Sequence, residues 1–307
     1  MISRQFCRYF SISNHFWQSS NKSLLAKLRK KTGYTFSNCK KALELHDNDF
    51  GKAEAWLKEQ ATALGWSKAE KLQGRSTTQG LIAVMCSKDH GAMVELNCET
   101  DFVARNKTFH SLAETIISEV TKFAGNLVSK EPVYKLPLHT DCLKDIKAHD
   151  GKILADHVAL TIGNVGENIT LKRALCMKVS SPIQLVGCTH PAPVNTIPVS
   201  FGKYGALLAF KSDPPNRLLG MQLCQHIIGM NPSKIGHPND EVNENSDDES
   251  TLIFQEFLLD PSLNVQQALM AANAEVIDFC RFETGENLQH EDSDEAPAEK
   301  ESVKSCS

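Results

Sequence analysis

The chain has 307 residues, of which 41% are hydrophobic and 23% are charged, and its formal net charge is -4 at pH 7. This length is enough for about two folded units, each with a packed core. The acidic balance argues against a general nucleic-acid binder, which usually carries a strong basic excess. No uninterrupted apolar run approaches the roughly 18 residues that a membrane helix needs, so we expect a soluble protein.

Ten cysteines are scattered along the chain. None of them forms a C-x-x-C pair, and none has the histidine spacing of a zinc site. A chain of this length does not need disulfides for stability, so we expect most of the cysteines to be buried reduced thiols in a reducing compartment. The sequence therefore predicts neither a metal site nor any other cofactor.

The first twenty residues have the composition of a targeting segment. They include Arg4, Arg8, five serines and several aromatic residues, whereas the first acidic residue of the chain is Glu44. Segments that contain arginine and serine but no acidic residue are typical of mitochondrial transit peptides. We therefore predict a transit peptide at residues 1–20, and the alternative is a disordered amino-terminal tail.

Residues 21–65 are predicted to form a compact module of three short helices. The first helix ends near Gly33, a residue that often terminates helices, and the second begins near Thr35. Asp47-Asn48-Asp49 supplies a turn and an amino-terminal cap for the third helix. Several basic residues form either a solvated surface or a partner surface: Lys27, Arg29, Lys30, Lys31, Lys40 and Lys41. Residues 66–78 are polar and are predicted to be a linker.

Residues 79–166 are predicted to be the first part of an α+β core. Apolar runs at 81–86 and 92–96 predict two strands joined by a hairpin loop. A helix follows, because apolar residues recur at helical spacing and form one stripe. This stripe consists of Phe109, Leu112, Ala113, Ile116, Ile117, Val120 and Phe123. The segment 128–150 has no clear pattern, and a second helix is predicted near 151–162.

Residues 167–285 are predicted to be the second part of the core. The apolar runs predict strands at Ile169–Val179 and Tyr204–Phe210 and a helix at Arg217–Met230. The order of strand, loop and helix repeats the layout of the first part. Residues 237–250 are acidic and rich in asparagine, which predicts a mobile loop. The last residues, 286–307, are predicted to be an acidic, disordered tail.

Sequence patterns for common catalytic sites are missing. The chain contains no P-loop, no dinucleotide-binding glycine fingerprint after a strand, no H-E-x-x-H and no G-x-S-x-G. Cys98 is the one conceivable nucleophile, but it lies between Asn97 and Glu99, and a reactive thiolate needs electropositive surroundings. We therefore do not expect this protein to be an enzyme.

The stretch from 95 to 106 joins the second predicted strand to the long helix. It places a carboxylate, Asp101, beside a large aromatic side chain, Phe102, at the entrance of the helix. On chemistry alone, Thr100 or Asp101 caps the helix and Phe102 fills the core. The alternative is that Asp101 and Phe102 project outward toward a partner.

Part of this stretch, NCETDFVARN, resembles the central signature of elongation factor Ts, the nucleotide-exchange partner of the GTPase elongation factor Tu. Three other stretches are similar to motifs of the same family: LRKKTGYTFSNCKKALELHDND, GENITLKR and VIDFCRFETGE. The resemblance covers about 21–285. It implies an α+β fold in which an amino-terminal, ubiquitin-associated-like three-helix module precedes a two-part core of antiparallel sheets packed against helices.

The resemblance implies the mitochondrial branch of the family. Bacterial members dimerise through a long helical hairpin, whereas only the acidic segment 237–250 separates the last long helix from the closing elements here. Together with the leader, this difference predicts a mitochondrial matrix protein. We expect a monomer that forms a 1:1 heterodimer with mitochondrial elongation factor Tu, with no stable nucleic-acid binding and no membrane association.

The resemblance also assigns a function and a set of contacts. It implies that the chain accelerates GDP release without covalent chemistry. Phe102 acts as a wedge between helices of the GTPase, Asp101 disturbs the charge around the bound Mg²⁺, and neighbouring residues seat them. The family histidine contact has no equivalent in Ser200–Tyr204 and stays unassigned. The positions that the resemblance places against the GTPase are Thr100, Asp101, Phe102, Val103, Lys40, Val165 and Gly166.

Two further hypotheses belong to other functional classes. A helical adaptor that recognises RNA or a ribosomal protein would require a basic stripe with exposed aromatic residues, and the acidic balance of the chain opposes it. A cysteine enzyme would require a histidine partner that the sequence does not place. The release rate of GDP from elongation factor Tu, measured with and without this protein, separates the three hypotheses.

Overall fold

A computed structural model of the chain describes residues 15–32, 34, 36–192, 198–243, 245 and 248–286, with side chains from residue 24 onward. Within these ranges the chain forms nine α-helices and two antiparallel sheets, which confirms the predicted α+β class. Residues 1–14 of the predicted transit peptide, Gly33, Thr35 and residues 287–307 of the predicted tail lie outside the described residues. No helix in these ranges is both long and apolar enough to cross a membrane.

Helices and strands are interspersed along the chain. The helices are α1 (His15–Thr32), α2 (Phe36–Leu45), α3 (Phe50–Leu72), α4 (Asp101–Ala104), α5 (Lys107–Asn126), α6 (Thr140–Lys144), α7 (Leu154–Val165), α8 (Arg217–Met230) and α9 (Val265–Ala271). The strands are β1 (Gln79–Cys86), β2 (His90–Cys98), β3 (Val133–His139), β4 (Ile169–Val179), β5 (Gln184–His190), β6 (Val199–Gly202), β7 (Tyr204–Ser212) and β8 (Ala274–Glu283). A short 3-10 turn lies at Leu252–Phe254.

The helices α1, α2 and α3 enclose a small apolar core of their own. As predicted, Asp49 is the amino-terminal cap of α3, because its carboxylate accepts a hydrogen bond from the backbone N–H of Lys52 at 3.0 Å. Asp47 and Asn48 have positive φ angles of 49° and 63°, a conformation that asparagine and aspartate tolerate and that turns the chain sharply between α2 and α3. Helix α1 begins at residue 15, inside the segment predicted as a transit peptide.

The length of α3 corrects the predicted linker. We expected residues 66–78 to be a linker, but α3 is helical as far as Leu72, because its second half packs along α7. The two helices approach so closely that a Cβ on Gly65 would lie 2.3 Å from the carbonyl oxygen of Ala159. Only residues 73–78 connect α3 to the first strand, and α3 itself packs against the core through α7.

The core has four layers. The first sheet has the strand order β3-β4-β2-β1-β6, and α5 and α7 pack on its outer face. The second sheet has the order β5-β7-β8, and α8 and α9 cover its outer face. Apolar residues of both sheets meet between them, including Ile82 and Met93 from the first sheet and Leu207 and Phe282 from the second. The predicted stripe of α5 is buried against the first sheet, except that Phe123 is half-buried.

The predicted boundary at residue 166 does not separate the two sheets. Strand β4 has the predicted ends, but it pairs with β2 and β3 and therefore belongs to the first sheet, not to the second. Strand β6 also pairs with β1 of the first sheet. The strands β3, β5 and β6 were not predicted. Alternating or continuous apolar residues indicate that a strand is buried, but they do not identify its partner strands.

The described residues of the acidic segment 237–250 form hydrogen bonds to one another and to the core. Asp240 forms an ion pair with Lys234 at 3.2 Å. The Glu249 carboxylate accepts hydrogen bonds from the backbone N–H groups of Asn243 at 2.9 Å and Thr251 at 2.6 Å. These hydrogen bonds lower the pKa of Glu249, so its charged form stabilises this part of the segment. The mobility of the segment stays a prediction.

Candidate functional site

The site is built on the joint between β2 and α5. Strand β2 ends at Cys98, and the single turn of α4 begins at Asp101, after two intervening residues. Thr100 is the amino-terminal cap of α4, because its side-chain oxygen accepts a hydrogen bond from the backbone N–H of Val103 at 3.4 Å. Asn106 caps α5 in the same way through the backbone N–H of Thr108 at 2.8 Å. Of the two predicted capping residues, Thr100 rather than Asp101 is the cap.

The joint directs Phe102 outward. The residue is 77% exposed, so the interpretation that it fills the core is wrong for the free chain. Its neighbour Val103 is only 4% exposed and packs into the core between α5 and the first sheet. Asp101 is also exposed, and its carboxylate lies 3.1 Å from the guanidinium of Arg105, which is itself exposed. Such an exposed ion pair contributes little to stability.

Three hydrogen bonds, donated in both directions, connect the joint to the turn after α7. Thr100 donates to the Glu167 carboxylate twice, from its backbone N–H at 3.0 Å and from its hydroxyl at 2.7 Å. In return, the backbone N–H of Asn168 donates to the Glu99 carboxylate at 2.7 Å. The structure therefore brings the joint next to the predicted contact at Val165-Gly166.

The end of α7 has the conformation that its glycine permits. Gly166 is the carboxy-terminal cap in the left-handed conformation, with φ of 79°, and its N–H donates to the carbonyl of Ile162 at 2.9 Å. Val165 is half-buried and packs against the core of the first sheet. Gly166 is exposed beside it, so this predicted contact is a surface of backbone rather than of side chain.

The remaining predicted contact, Lys40, lies on α2 in the amino-terminal helices. It is exposed and lies 3.6 Å from Glu44, one helical turn away. Phe36 and Leu45 of the same helix are also exposed, by 58% and 55%. Lys40 is thus on a surface of mixed charged and apolar residues, which is separate in the sequence from the joint.

A groove runs between the joint and β6. Thr100 and Asp101 line one side, and Phe201 and Lys203 line the other. The ring of His110, on α5, lies 5.1 Å from the ring of Phe201. The segment Ser200–Tyr204, where the resemblance leaves the family histidine contact unassigned, therefore borders the joint, and His110 of α5 lies against it.

The structure does not give Cys98 the surroundings of a reactive thiol. The residue is fully buried, and its thiol lies 3.1 Å from the carbonyl of Thr100. Burial, together with the nearby Glu167 carboxylate, raises the pKa of Cys98 to about 11, so the thiol stays protonated at neutral pH. Within the described ranges, no group of three or more potential ligand side chains is placed to hold a metal ion.

Sequence reasoning missed Glu99 and Glu167. Both carboxylates lie in stretches that resemble family motifs, but neither was predicted as part of the site. Glu167 follows a glycine that ends a helix, and such a position often turns the chain back on itself. That signal indicates a sharp turn but does not identify what the carboxylate contacts.

The fold defines an α+β protein in which three amino-terminal helices precede a two-sheet core that carries an exposed aromatic side chain at the entrance of a short helix. Comparisons with known proteins give the family. The family model "Elongation factor Ts, mitochondrial, N-terminal" matches residues 7–67, and the model "Elongation factor TS" matches residues 99–246. The chain belongs to the elongation factor Ts family, as the sequence motifs predicted.

Individual relatives extend over most of the chain. "Elongation factor Ts, mitochondrial" of Aedes aegypti is 51% identical over 282 residues, which cover 90% of this chain and 92% of the relative. The protein of the same name from Drosophila melanogaster is 49% identical, with coverage of 87% and 86%. The one from Xenopus laevis is 42% identical, with coverage of 90% of each chain. These alignments include most of the described residues.

Proposed function

We propose that this chain is a mitochondrial exchange factor, which binds elongation factor Tu and promotes the release of GDP during translation elongation in the matrix. The observation that carries the proposal is the 77% exposure of Phe102 at a helix entrance that is held by hydrogen bonds between Thr100 and Glu167. An exposed aromatic side chain on a rigid element is typical of the residues that dominate binding energy at interfaces. The names of the relatives support the mitochondrial location.

Exchange requires no reactive group on the factor. A GTPase holds GDP through backbone amides around the phosphates and through Mg²⁺, which bridges protein and phosphate oxygens. A factor that binds the empty GTPase more tightly than the loaded one weakens nucleotide binding by the same ratio, because the two equilibria are linked. The proposed chemistry is therefore differential binding, and no covalent step is involved.

Each exposed side chain of the joint has a separate part in this proposal. The Phe102 ring fits between helices of the GTPase only after they have moved apart, so it favours the empty form. The Asp101 carboxylate adds negative charge near the Mg²⁺ site and weakens the balance of charge that holds the ion. Thr100 and Val103 neither enter between the GTPase helices nor act on the Mg²⁺ site. They hold α4 through the cap and through the buried valine.

Two other surfaces complete the proposed complex. Lys40 on α2 contacts the GTPase through its exposed ammonium group, and Val165-Gly166 contacts it beside the joint. We expect one copy of this chain to bind one copy of elongation factor Tu, and we expect neither stable nucleic-acid binding nor membrane association. The charge of -4 supports the absence of nucleic-acid binding.

The test is the release rate of labelled GDP from mitochondrial elongation factor Tu, measured at several Mg²⁺ concentrations. We expect release to accelerate with increasing concentration of this protein and to saturate. Phe102→Ala should remove most of the acceleration. The matched control is Met270→Ala on α9, which also removes an exposed apolar side chain, 68% exposed, and should exchange at the parent rate. A release rate that does not change when this protein is added contradicts the proposal.

A further inference from the structure

We infer that Glu167 is a positioning residue that fixes the direction in which Phe102 and Asp101 project from the joint. The inference rests on the proposed exchange function. Its basis is that one carboxylate accepts both hydrogen bonds that Thr100 can donate: the backbone N–H lies 3.0 Å from Oε2, and the hydroxyl lies 2.7 Å from Oε1. Hydrogen bonds to an ionised carboxylate are stronger than those between neutral groups.

The hydrogen bonds run in both directions between two short segments. While Glu167 accepts from Thr100, the neighbouring Glu99 accepts from the backbone N–H of Asn168 at 2.7 Å. Asn168 also donates from its side-chain amide to the carbonyl of Arg75 at 3.0 Å, and the Arg75 guanidinium lies 3.5 Å from Glu99. The joint is therefore fixed to the turn after α7 and to the connection after α3.

Glu167 has a rigid base of its own. It follows Gly166, whose left-handed conformation with φ of 79° reverses the chain at the end of α7. Helix α7 is anchored in the core through buried side chains such as Leu154 and Ile162. The carboxylate is thus carried by a helix that packs on the first sheet, and it can hold α4 without moving itself.

Helix α4 depends on such a fixed point because it is too short to keep its direction alone. It has four residues, and the first turn of a helix costs more conformational entropy than its hydrogen bonds return. The Phe102 ring is exposed and makes few contacts that would hold it. The Thr100 hydroxyl donates a hydrogen bond to Glu167, and this orientation leaves its oxygen free to accept the hydrogen bond from the Val103 N–H that caps the turn. Glu167 therefore orients the Thr100 cap, and the cap fixes the direction of α4.

The experiment is a double-mutant cycle on GDP release, with each factor variant below saturation. We expect Glu167→Ala to lower the acceleration about fivefold, the factor that corresponds to the ~1 kcal/mol of a lost helix cap. Glu167→Gln should restore part of the rate, because its amide oxygen can still accept one hydrogen bond from Thr100. In the Phe102→Ala background, Glu167→Ala should cause a smaller loss than in the parent, because only the contribution of Asp101 is left to lose. The matched control, Glu114→Ala, removes an exposed carboxylate from α5 and should leave the rate unchanged.

Several outcomes overturn the inference. If the losses of Glu167→Ala and Phe102→Ala multiply in full, Glu167 does not act through Phe102, and the inference fails. If Glu167→Ala exchanges at the parent rate while Phe102→Ala is impaired, the proposed function stands and the positioning role fails. If Phe102→Ala exchanges at the parent rate, the exchange function stands, but the role of Phe102 fails and the positioning role of Glu167 fails with it. If the parent protein does not accelerate GDP release at all, the proposed function fails. Should Glu167→Ala fold poorly, Thr100→Val removes the same hydroxyl donor, and its loss should not add to that of Glu167→Gln.

Discussion

The exposure of Phe102 leads to a prediction in which stability and function separate. Full burial of a phenylalanine side chain stabilises a protein by about 1.5–3 kcal/mol. Because only about a quarter of this residue is buried, with 77% exposed, Phe102→Ala should lower the free energy of unfolding by about 0.5 kcal/mol. For a chain of this size, that change corresponds to a melting temperature about 1–2 °C lower.

Phe109 provides the matched comparison, since it lies seven residues further along and is fully buried in the first core. Phe109→Ala removes a packed ring and should cost roughly 3–5 kcal/mol, or about 10 °C in melting temperature. For exchange, the order of the two effects should be the opposite: Phe102→Ala should slow GDP release more than Phe109→Ala does. If Phe102 is a principal interface residue, its removal should weaken binding to the empty GTPase by about 2 kcal/mol or more, which is about 30-fold in affinity.

The assay compares thermal melts of the two variants with their GDP-release rates at a temperature where both are folded. Phe102→Ala should melt like the parent and release GDP slowly. Phe109→Ala should melt early, and its folded fraction should still accelerate release. A Phe102→Ala protein that melts as early as Phe109→Ala, or that exchanges at the parent rate, would refute the reasoning.

Three other predictions follow from the described contacts. Asp101→Ala breaks only an exposed ion pair, so the melting temperature should change little, whereas the Mg²⁺ concentration that inhibits exchange should shift; an unchanged Mg²⁺ dependence contradicts the role of Asp101. Lys40→Glu should weaken association without lowering the melting temperature, and a melt several degrees lower would show a structural lysine. Burial lowers the pKa of His226 below its usual value of 6.5, so the unfolded state binds a proton more readily than the folded one. The free energy of unfolding should therefore be constant above about pH 6.5 and fall on further acidification, and His226→Gln should flatten this fall in a denaturant titration.

The elements with a strong periodic pattern were predictable from the sequence. The buried stripe of α5, both ends of β4 and both ends of α8 agree with the predictions. These elements each bury one face, or most of a strand, against a large core, so the pattern of apolar residues reports their structure directly. The cap at Asp49 was also predictable, because capping is a local interaction between residues three apart.

Long-range partners were not predictable in this way. The strand β4 was assigned to the second part of the core, although it lies between β2 and β3 in the first sheet. The end of α3, residues 66–72, was predicted as part of a linker, because its sequence is polar and its packing depends on a close backbone approach at Gly65 to a helix about ninety residues later. Neither fact is encoded in a local pattern.

The outward orientation of Phe102 could not be predicted from residue type alone. An aromatic residue at a helix entrance is more often buried than exposed, and residue type alone favoured the core for Phe102. The resemblance to the family signature favoured an outward orientation, and the exposure agrees with it. What the motif did not indicate is how the orientation is held, because the hydrogen bonds from Thr100 to Glu167 connect residues 67 positions apart.

The packing also bears on why two distant surfaces would act together on one partner. Lys40 lies on α2, which packs on α3, and α3 crosses α7 so closely that a Cβ on Gly163 would lie 3.2 Å from the Cα of Gly65. Helix α7 leads directly to Glu167, whose carboxylate holds Thr100 at the joint. Close-packed elements transmit a displacement instead of absorbing it. If the proposed contacts of Lys40 and Phe102 are correct, the packing of α2, α3 and α7 therefore fixes the distance between the two surfaces that the GTPase has to contact.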